Sequence, residues 1–202
     1  MNRPAFHRAA PLLVFVLAAA CGGSPAEKFD AKAPDVPFVD QLNPAGKDAT
    51  YDGSANCGPA VLAGIAKGHG WNGGLTDAAL IMVFAEVAGT KPEGTTGNGM
   101  VTALDWLGMH TSANAGADLE WIDNELAAGH DVIALGDYYS LPNHEDPRMV
   151  SGHYIAISGV HSNWSVYQVM DPAGAGLHSL PDSQLQAFIQ AAPLGGFTIS
   201  AW

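Results

Sequence analysis

The residue of this sequence that is best suited to chemistry is a cysteine in the stretch Asn56-Cys57-Gly58-Pro59-Ala60. Pro59 opens an apolar, alanine-rich run, and proline is favoured at the first position of a helix. Cys57 is therefore expected in or just before the first helical turn. Unpaired backbone N–H groups and the positive end of the helix dipole stabilise a thiolate there, which a nucleophilic cysteine requires. The alternative is a small buried hydrophobic residue, a common environment for free cysteine.

A nucleophilic cysteine needs a base to take its proton and a third group to orient that base. His153 opens an Ile- and Val-rich segment, and Asp171 ends the following apolar segment, directly before Pro172. In two adjacent antiparallel strands, the start of one lies beside the end of the next, so Asp171 could reach the His153 ring. Taken singly, His153 could be a solvent-facing residue at a strand end and Asp171 a turn former. Together with Cys57 they predict a Cys–His–Asp catalytic triad.

The hydrophobic spacing predicts the elements that must position these residues. Helices are predicted at 59–67, 77–87, 100–107, 118–128 and 183–190, and strands at 131–136, 154–160, 166–170 and 197–201. Helices followed by strands indicate an α+β domain over residues 36–202, a helical half packed on a mainly antiparallel sheet. The intervening segment 138–152 is predicted to be a long loop that leads into His153 and forms one wall of a substrate cleft.

Residues 1–21 are predicted to be a signal peptide. Arg3 and Arg8 precede an apolar run that is too short to span a membrane. Ala18-Ala19-Ala20-Cys21 resembles a lipoprotein signal, in which Cys21 would be acylated and become the new N-terminus. The alternative is an ordinary signal peptide cut near Ala20. Residues 22–35 read as a flexible tether, so the domain is expected to be extracytoplasmic and lipid-anchored in the cell envelope, or otherwise secreted.

The cysteine count and the net charge narrow the function further. The chain has two cysteines, so lipidation of Cys21 would leave Cys57 without a disulfide partner in an oxidising compartment, which favours a functional thiol. The formal charge is −12, and loss of the two arginines of residues 1–20 would make it −14. A surface this acidic repels nucleic acid and anionic lipid. No nucleic-acid partner is expected, and membrane contact is expected only through the lipid.

Three motifs carry a resemblance to a known family. Cys57-Gly58-Pro59-Ala60, Gly152-His153-Tyr154 and Asp171-Pro172 resemble the motifs of the bacteriocin-processing, double-glycine-type cysteine peptidases, which are papain-like in fold. Gly94-Thr95-Thr96 resembles the same family's Gly-Thr turn, and the resemblance runs from about Val36 to the C-terminus. It implies that Cys57 is the nucleophile, His153 the general base and acid, and Asp171 the orienting acid, with a peptide substrate and no cofactor.

The resemblance also implies a glutamine that stabilises the oxyanion. The nearest upstream glutamine is Gln41, 16 residues before Cys57 and farther than is usual in the family, so an inserted loop would have to fold away for Gln41 to serve. Asn56 could contribute its amide instead, although its simpler role is a helix cap. The backbone N–H of Cys57 is the expected second donor.

The other histidines raise the question of a metal. His144-Glu145-Asp146 and His153 with His161 are the best clusters, but neither has a spacing such as His-Glu-x-x-His. No metal is predicted, and loop histidines are expected to be solvated. The tryptophans are expected to be core or rim residues: Trp106, Trp121 and Trp164.

The function predicted from the sequence is that of a monomeric cysteine hydrolase, which cleaves a peptide or related amide bond through an acyl thioester. The sequence carries no transporter segment and no ATP-binding loop, so cleavage after paired glycines is not implied. The alternatives are an acyltransferase or amidase on the same triad, and a non-catalytic binding lipoprotein that retains the fold.

Overall fold

The computed structural model describes residues 35–42, 53–144, 147, 149, 152–160, 166–173 and 176–202. The predicted signal peptide with Cys21, residues 22–34 of the predicted tether, and the three residues Glu145, Asp146 and His161 lie outside this range. The described residues form one antiparallel sheet with helices on both of its faces. The predicted α+β architecture, with helices packed on an antiparallel sheet, is confirmed, and helices on the second face of the sheet extend it.

The sheet has six strands in the order β1-β6-β2-β3-β4-β5, and each neighbouring pair is antiparallel. The strands are β1 Thr111–Ala115, β2 Asp131–Asp137, β3 Gly152–Val160, β4 Val166–Asp171, β5 Gly176–Pro181 and β6 Phe197–Ala201. Strands β1 and β5 were not predicted. Both are short edge strands whose side chains are largely exposed or half-buried, so they lack the apolar run that marks the inner strands.

Five helices cover the two faces. They are α1 Cys57–Gly68, α2 Asp77–Val87, α3 Gly97–Trp106, α4 Leu119–Ala127 and α5 Asp182–Gln190. Helix α1 begins at Cys57, so Pro59 is its third residue and not its first. This is tolerated because the first four N–H groups of a helix have no partner within it. A single 3₁₀ turn, Tyr138–Ser140, follows β2 in the segment that was predicted to be loop.

Helix α3 starts three residues earlier than predicted, inside a stretch that reads as a glycine-rich turn. The Thr96 side chain accepts a hydrogen bond from the backbone N–H of Gly99 at 3.1 Å and so caps the helix. Gly97 allows a close approach to the last strand, because a Cβ atom there would lie 2.7 Å from the ring of Phe197. The glycines of this stretch therefore serve helix packing as well as chain reversal.

Two apolar cores lie on opposite faces of the sheet, and alternate residues of the inner strands supply them. In β2, Ile133 faces the first core, with α1, α2 and α3, while its neighbours Val132 and Ala134 face the second core, with α4 and α5. Helix α1 is the most deeply embedded helix, since its first ten residues are all buried. The N-terminus of α1 is thus held firmly against the sheet.

The aromatic residues singled out in the sequence take surface and semi-buried positions. Trp106 is half exposed and packs edge to face with Trp71 and Phe84, while Trp121 packs against the second core. Trp164 lies outside the described residues. None of the helices formed by the described residues is both long and apolar enough to cross a lipid bilayer.

Candidate active site

Cys57 is the first residue of α1, and only 2% of its surface is exposed. Its thiol is free, that is, not part of a disulfide. The neighbouring glycine is needed for packing, since a Cβ on Gly58 would lie 2.7 Å from Oγ1 of Thr95 and 2.9 Å from the sulfur of Met100. The Tyr154 hydroxyl donates a hydrogen bond to the backbone carbonyl of Thr95 at 3.1 Å. The start of α1 is therefore fixed from two sides, by the turn that precedes α3 and by β3.

His153 and Asp171 lie on neighbouring strands, as the sequence predicted. His153 is the second residue of β3 and Asp171 the last residue of β4, and the two strands pair antiparallel. Nε2 of His153 lies 2.9 Å from Oδ1 of Asp171, and both residues are buried. The same Oδ1 accepts a hydrogen bond from the backbone N–H of Ala173 at 2.9 Å. Asp171 is thus hydrogen-bonded both to the histidine ring and to the turn that follows its own strand.

The Cys57 side chain also interacts with the His153 ring, so the three predicted residues lie together in the structure. Burial alone would lower the pKa of His153. The hydrogen bond and charge of Asp171, together with the interaction with Cys57, outweigh burial and raise the pKa of His153 to about 9. The imidazolium form is therefore favoured at neutral pH, which is the form that pairs with a thiolate.

The charge of Asp171 is stabilised in the same way. Burial would raise the pKa of this carboxyl, but the close contact with His144, the hydrogen bond to His153, the His153 charge and the backbone N–H of Ala173 hold the pKa of Asp171 far below its usual range. The carboxylate is ionised at any pH near neutrality and can support a protonated His153.

His144 is part of this site, although the sequence gave reason to expect a solvated loop histidine. Only 5% of its surface is exposed, its Nδ1 lies 2.7 Å from the carbonyl oxygen of Pro142, and its Nε2 lies 2.6 Å from Oδ2 of Asp171. The expectation of solvation was wrong for this residue because the carboxylate of a distant strand provides a buried partner. No local sequence pattern signals that contact.

The ring of Tyr138 fills the space beside the two histidines. It meets the His144 ring edge to face at 4.6 Å between centroids and the His153 ring at 5.4 Å. Segment 138–152 thus brings His144 to the triad, and Met149 from the same segment lies against Gln41. Its role as one wall of a substrate cleft stays a prediction.

Gln41 lies between the two halves of the site. It is fully buried, its backbone N–H donates to the carbonyl of Pro172 at 2.9 Å, and its side-chain Nε2 donates to the carbonyl of Gly53 at 2.8 Å. Gln41 is therefore adjacent both to the residue that follows Asp171 and to the chain that leads into Cys57. Among the described residues, the second Nε2 hydrogen has only the sulfur of Met149, 3.9 Å away, as a partner.

Asn56 does not act as the helix cap that its type and position suggested. It is the N-cap residue of α1, but its side chain makes no capping hydrogen bond, and its Oδ1 is buried without a partner among the described residues. The side chain is thus held beside the cysteine for a reason other than capping.

The described residues contain one group with the composition of a metal site. Nitrogen atoms of His144 and His153 and a carboxylate oxygen of Asp171 all lie within 4.8 Å of one another. The sequence did not predict this group, because His144 was expected to be solvated.

Comparison with solved structures identifies the fold. The peptidase domain of Streptococcus ComA, a bifunctional ABC transporter, is similar over 82% of this chain and 97% of its own length, with a TM-score of 0.58 and 23% identity. A putative C39-like peptidase from Bacillus anthracis is similar over 85% of this chain and 96% of its own, with a TM-score of 0.56 and 16% identity. A double glycine motif protease from an AMS/PCAT transporter, solved in complex with the leader peptide, is similar over 86% of this chain and 96% of its own length, with a TM-score of 0.55 and 13% identity.

No protein-family profile and no curated protein matches the sequence. The fold is that of the C39-like, papain-like cysteine peptidase domains. The coverage of these domains is nearly complete, so the chain contains the whole peptidase-like fold.

Proposed function

We propose that this protein is a cysteine hydrolase that cleaves a peptide or related amide bond through Cys57, His153 and Asp171. The observation that carries the proposal is the buried group formed by Cys57, His153 and Asp171, in which the His153 ring interacts with the Cys57 side chain and lies 2.9 Å from the Asp171 carboxylate. The peptidase-like fold supports it, and the leader peptide bound to one structural neighbour favours a peptide as substrate.

In the proposed reaction, the Cys57 thiolate attacks the carbonyl carbon of the substrate. The carbonyl oxygen takes the negative charge, and the protonated His153 then gives its proton to the departing amine, which leaves an acyl thioester on Cys57. His153, now neutral, takes a proton from water as the water attacks the thioester. Cleavage of the thioester C–S bond then releases the acid product and restores the Cys57 thiolate beside the protonated His153. Asp171 remains ionised throughout and orients His153.

The developing oxyanion needs two hydrogen-bond donors. The backbone N–H of Cys57 is suited to this role because it belongs to the first turn of α1, where N–H groups have no partner within the helix. Gln41 is the proposed second donor. Within the part of the chain that the structure describes, one of its Nε2 hydrogens has only a sulfur atom at 3.9 Å as a partner, and a sulfur is a weak acceptor that an oxyanion could replace. Asn56 is the alternative donor.

The proposal is tested by labelling Cys57 with iodoacetamide in a chain that begins after Cys21. A small reagent is chosen because Cys57 is nearly buried. Labelling of the urea-unfolded protein gives the rate for a fully accessible Cys57 thiol, with which the folded protein is compared. A free thiol with a pKa near 8.5 is only about 0.1% thiolate at pH 5.5. We expect the folded protein to be labelled fast at pH 5.5 and the His153→Ala variant to be labelled slowly at the same pH. Equally slow labelling of both proteins would refute the proposal and favour the non-catalytic binding protein.

Acyl transfer on the same triad is distinguished by its product. If an amine replaces water in the second step, adding free amines to a working assay gives a new amide in place of the acid. Mass spectrometry of the products separates transfer from hydrolysis.

A further inference from the structure

The mechanism proposed above uses only one oxygen of Asp171. Oδ1 serves His153 and the N–H of Ala173, while Oδ2 is turned to His144, with its Nε2 at 2.6 Å. Neither of these two facing atoms has a well-aligned hydrogen-bond partner among the described residues, and each is buried. Their contact is therefore close but poorly aligned for a hydrogen bond, and it is the only polar contact described for either atom.

The two ring nitrogens of His144 face different groups. Nδ1 lies 2.7 Å from the carbonyl oxygen of Pro142, and Nε2 lies 2.6 Å from the ionised carboxylate of Asp171. The ring is thus held between two oxygen atoms of the protein. The titratable groups around it are Asp171 on β4, His153 on β3 and Tyr138 on the 3₁₀ turn.

The same three groups could instead bind a metal, and the distances decide against that arrangement. Two ligand atoms bound to one tetrahedral zinc at 2.0–2.1 Å lie about 3.3 Å apart. Nε2 of His144 and Oδ2 of Asp171 are 2.6 Å apart, and Nε2 of His153 and Oδ1 are 2.9 Å apart. Both distances fit direct hydrogen-bonded or ionic contacts better than shared coordination of an ion.

We propose that His144 is a positioning residue that fixes the Asp171 carboxylate, so that Oδ1 is held in line with the His153 ring. This inference rests on the proposed function, because the geometry it protects is that of the triad. Rotation of a carboxylate about its Cβ–Cγ bond moves both of its oxygens. The contacts at Oδ1 resist that rotation at one oxygen, and the contact of Oδ2 with Nε2 of His144 resists it at the other. Loss of the contact at Oδ2 would therefore leave the carboxylate less firmly oriented.

The test compares three variants of the chain that begins after Cys21. His144→Leu removes the contact, whereas His144→Gln places an amide N–H near the position of the ring Nε2 and should restore most of it. His69→Leu is the matched control, because His69 also pairs with a buried aspartate, Asp131, at 2.6 Å, but belongs to the other end of α1. Urea denaturation confirms that each variant is folded before labelling.

Two measurements report on positioning. The first is the rate of Cys57 labelling by iodoacetamide at pH 6, which should fall about tenfold in His144→Leu, remain within about threefold in His144→Gln and stay unchanged in His69→Leu. The second is the downfield proton resonance of the His153–Asp171 hydrogen bond. It should be lost in His144→Leu and retained in the other two variants, which a role in packing alone would not produce.

The outcomes separate this inference from the function on which it rests. Labelling that does not depend on His153 overturns the proposed function and this inference with it. Labelling that depends on His153 but not on His144, or a His153 resonance that survives in His144→Leu, overturns this inference alone. One equivalent of tightly bound zinc in the purified protein, with labelling that changes when it is chelated, would also overturn it and assign the three groups to a metal.

Discussion

Replacing Gly136 by alanine should destabilise the protein through a single steric contact beside the candidate site. Gly136 lies directly opposite His153 in the pairing of β2 with β3. A Cβ atom on Gly136 would lie 2.5 Å from both Cγ and Cε1 of the Phe188 ring. Gly136 is not among the glycines with positive φ, so an alanine there is not strained by its backbone, and the cost is one of space.

The size of the effect follows from that distance. Ordinary contacts of a Cβ atom are 3.4–4 Å, so the Phe188 ring and Gly136 would have to separate by about 1 Å. Phe188 is fully buried in the second core and cannot swing into solvent. Overpacking of this kind typically costs about 1–3 kcal/mol of unfolding free energy. We expect Gly136→Ala to fall in that range.

Urea denaturation measures the cost, and Gly159→Ala is the matched control. Gly159 also lies in a strand, but nothing is within 4 Å of a Cβ built there, so its substitution should change stability by less than about 0.5 kcal/mol. In the double variant Gly136→Ala/Phe188→Leu, the smaller side chain makes room for the new methyl group. A favourable coupling energy of about 1 kcal/mol or more is expected from the double-mutant cycle.

The effect should reach the candidate site as well, because the Phe188 ring packs edge to face against His153 with 6.4 Å between centroids. Movement of this ring should slow Cys57 labelling at pH 6. If Gly136→Ala costs no more than Gly159→Ala, or if Phe188→Leu gives no coupling, the steric reasoning is wrong.

Three further outcomes are expected. Gln41→Ala should reduce the burst of acylation by p-nitrophenyl acetate about 10²–10³-fold, the usual cost of one oxyanion donor, and an unchanged burst would exclude that role. Peptide hydrolysis should decline as pH rises through about 9, because the leaving amine needs the proton of His153. This decline should begin at lower pH in Asp171→Asn, which lacks the charge that raises the pKa of His153. A decline at the same pH in both proteins would contradict the coupling of His153 to Asp171. Full-length protein expressed with its N-terminus should partition into the Triton X-114 phase, and Cys21→Ala should move it to the aqueous phase; equal partitioning would refute lipidation.

The elements with strong local signals were predictable from the sequence. Helix α2 and strand β6 have the bounds that were predicted, because a threonine N-cap marks the helix and alternating apolar residues mark the strand. The contact between His153 and Asp171 was also predictable, since the ends of consecutive antiparallel strands lie side by side. The edge strands β1 and β5 were not, because edge positions carry polar side chains and lose the alternation that identifies a strand.

The polar environment of the site could not be predicted for a different reason. His144 and Gln41 each contact a residue that is distant in sequence, Asp171 for His144 and Pro172 for Gln41, and their residue types are ordinary for exposed loops. Asn56 looked like a cap because its type and position suit one, yet tertiary packing buried its side chain without that bond. Such contacts depend on how loops fold over a finished sheet.

The position of the last of the six strands also affects when the candidate site can form during folding. Strand β6 follows the other five strands in the sequence, yet it lies between β1 and β2, and β2 in turn pairs with the strand that carries His153. A chain that has been synthesised only as far as α5 lacks this strand, so β1 is left unpaired and β2 has one open edge. Contacts between segments so distant in sequence are slow to form. Cys57 and His153 should therefore come together only once β6 is available.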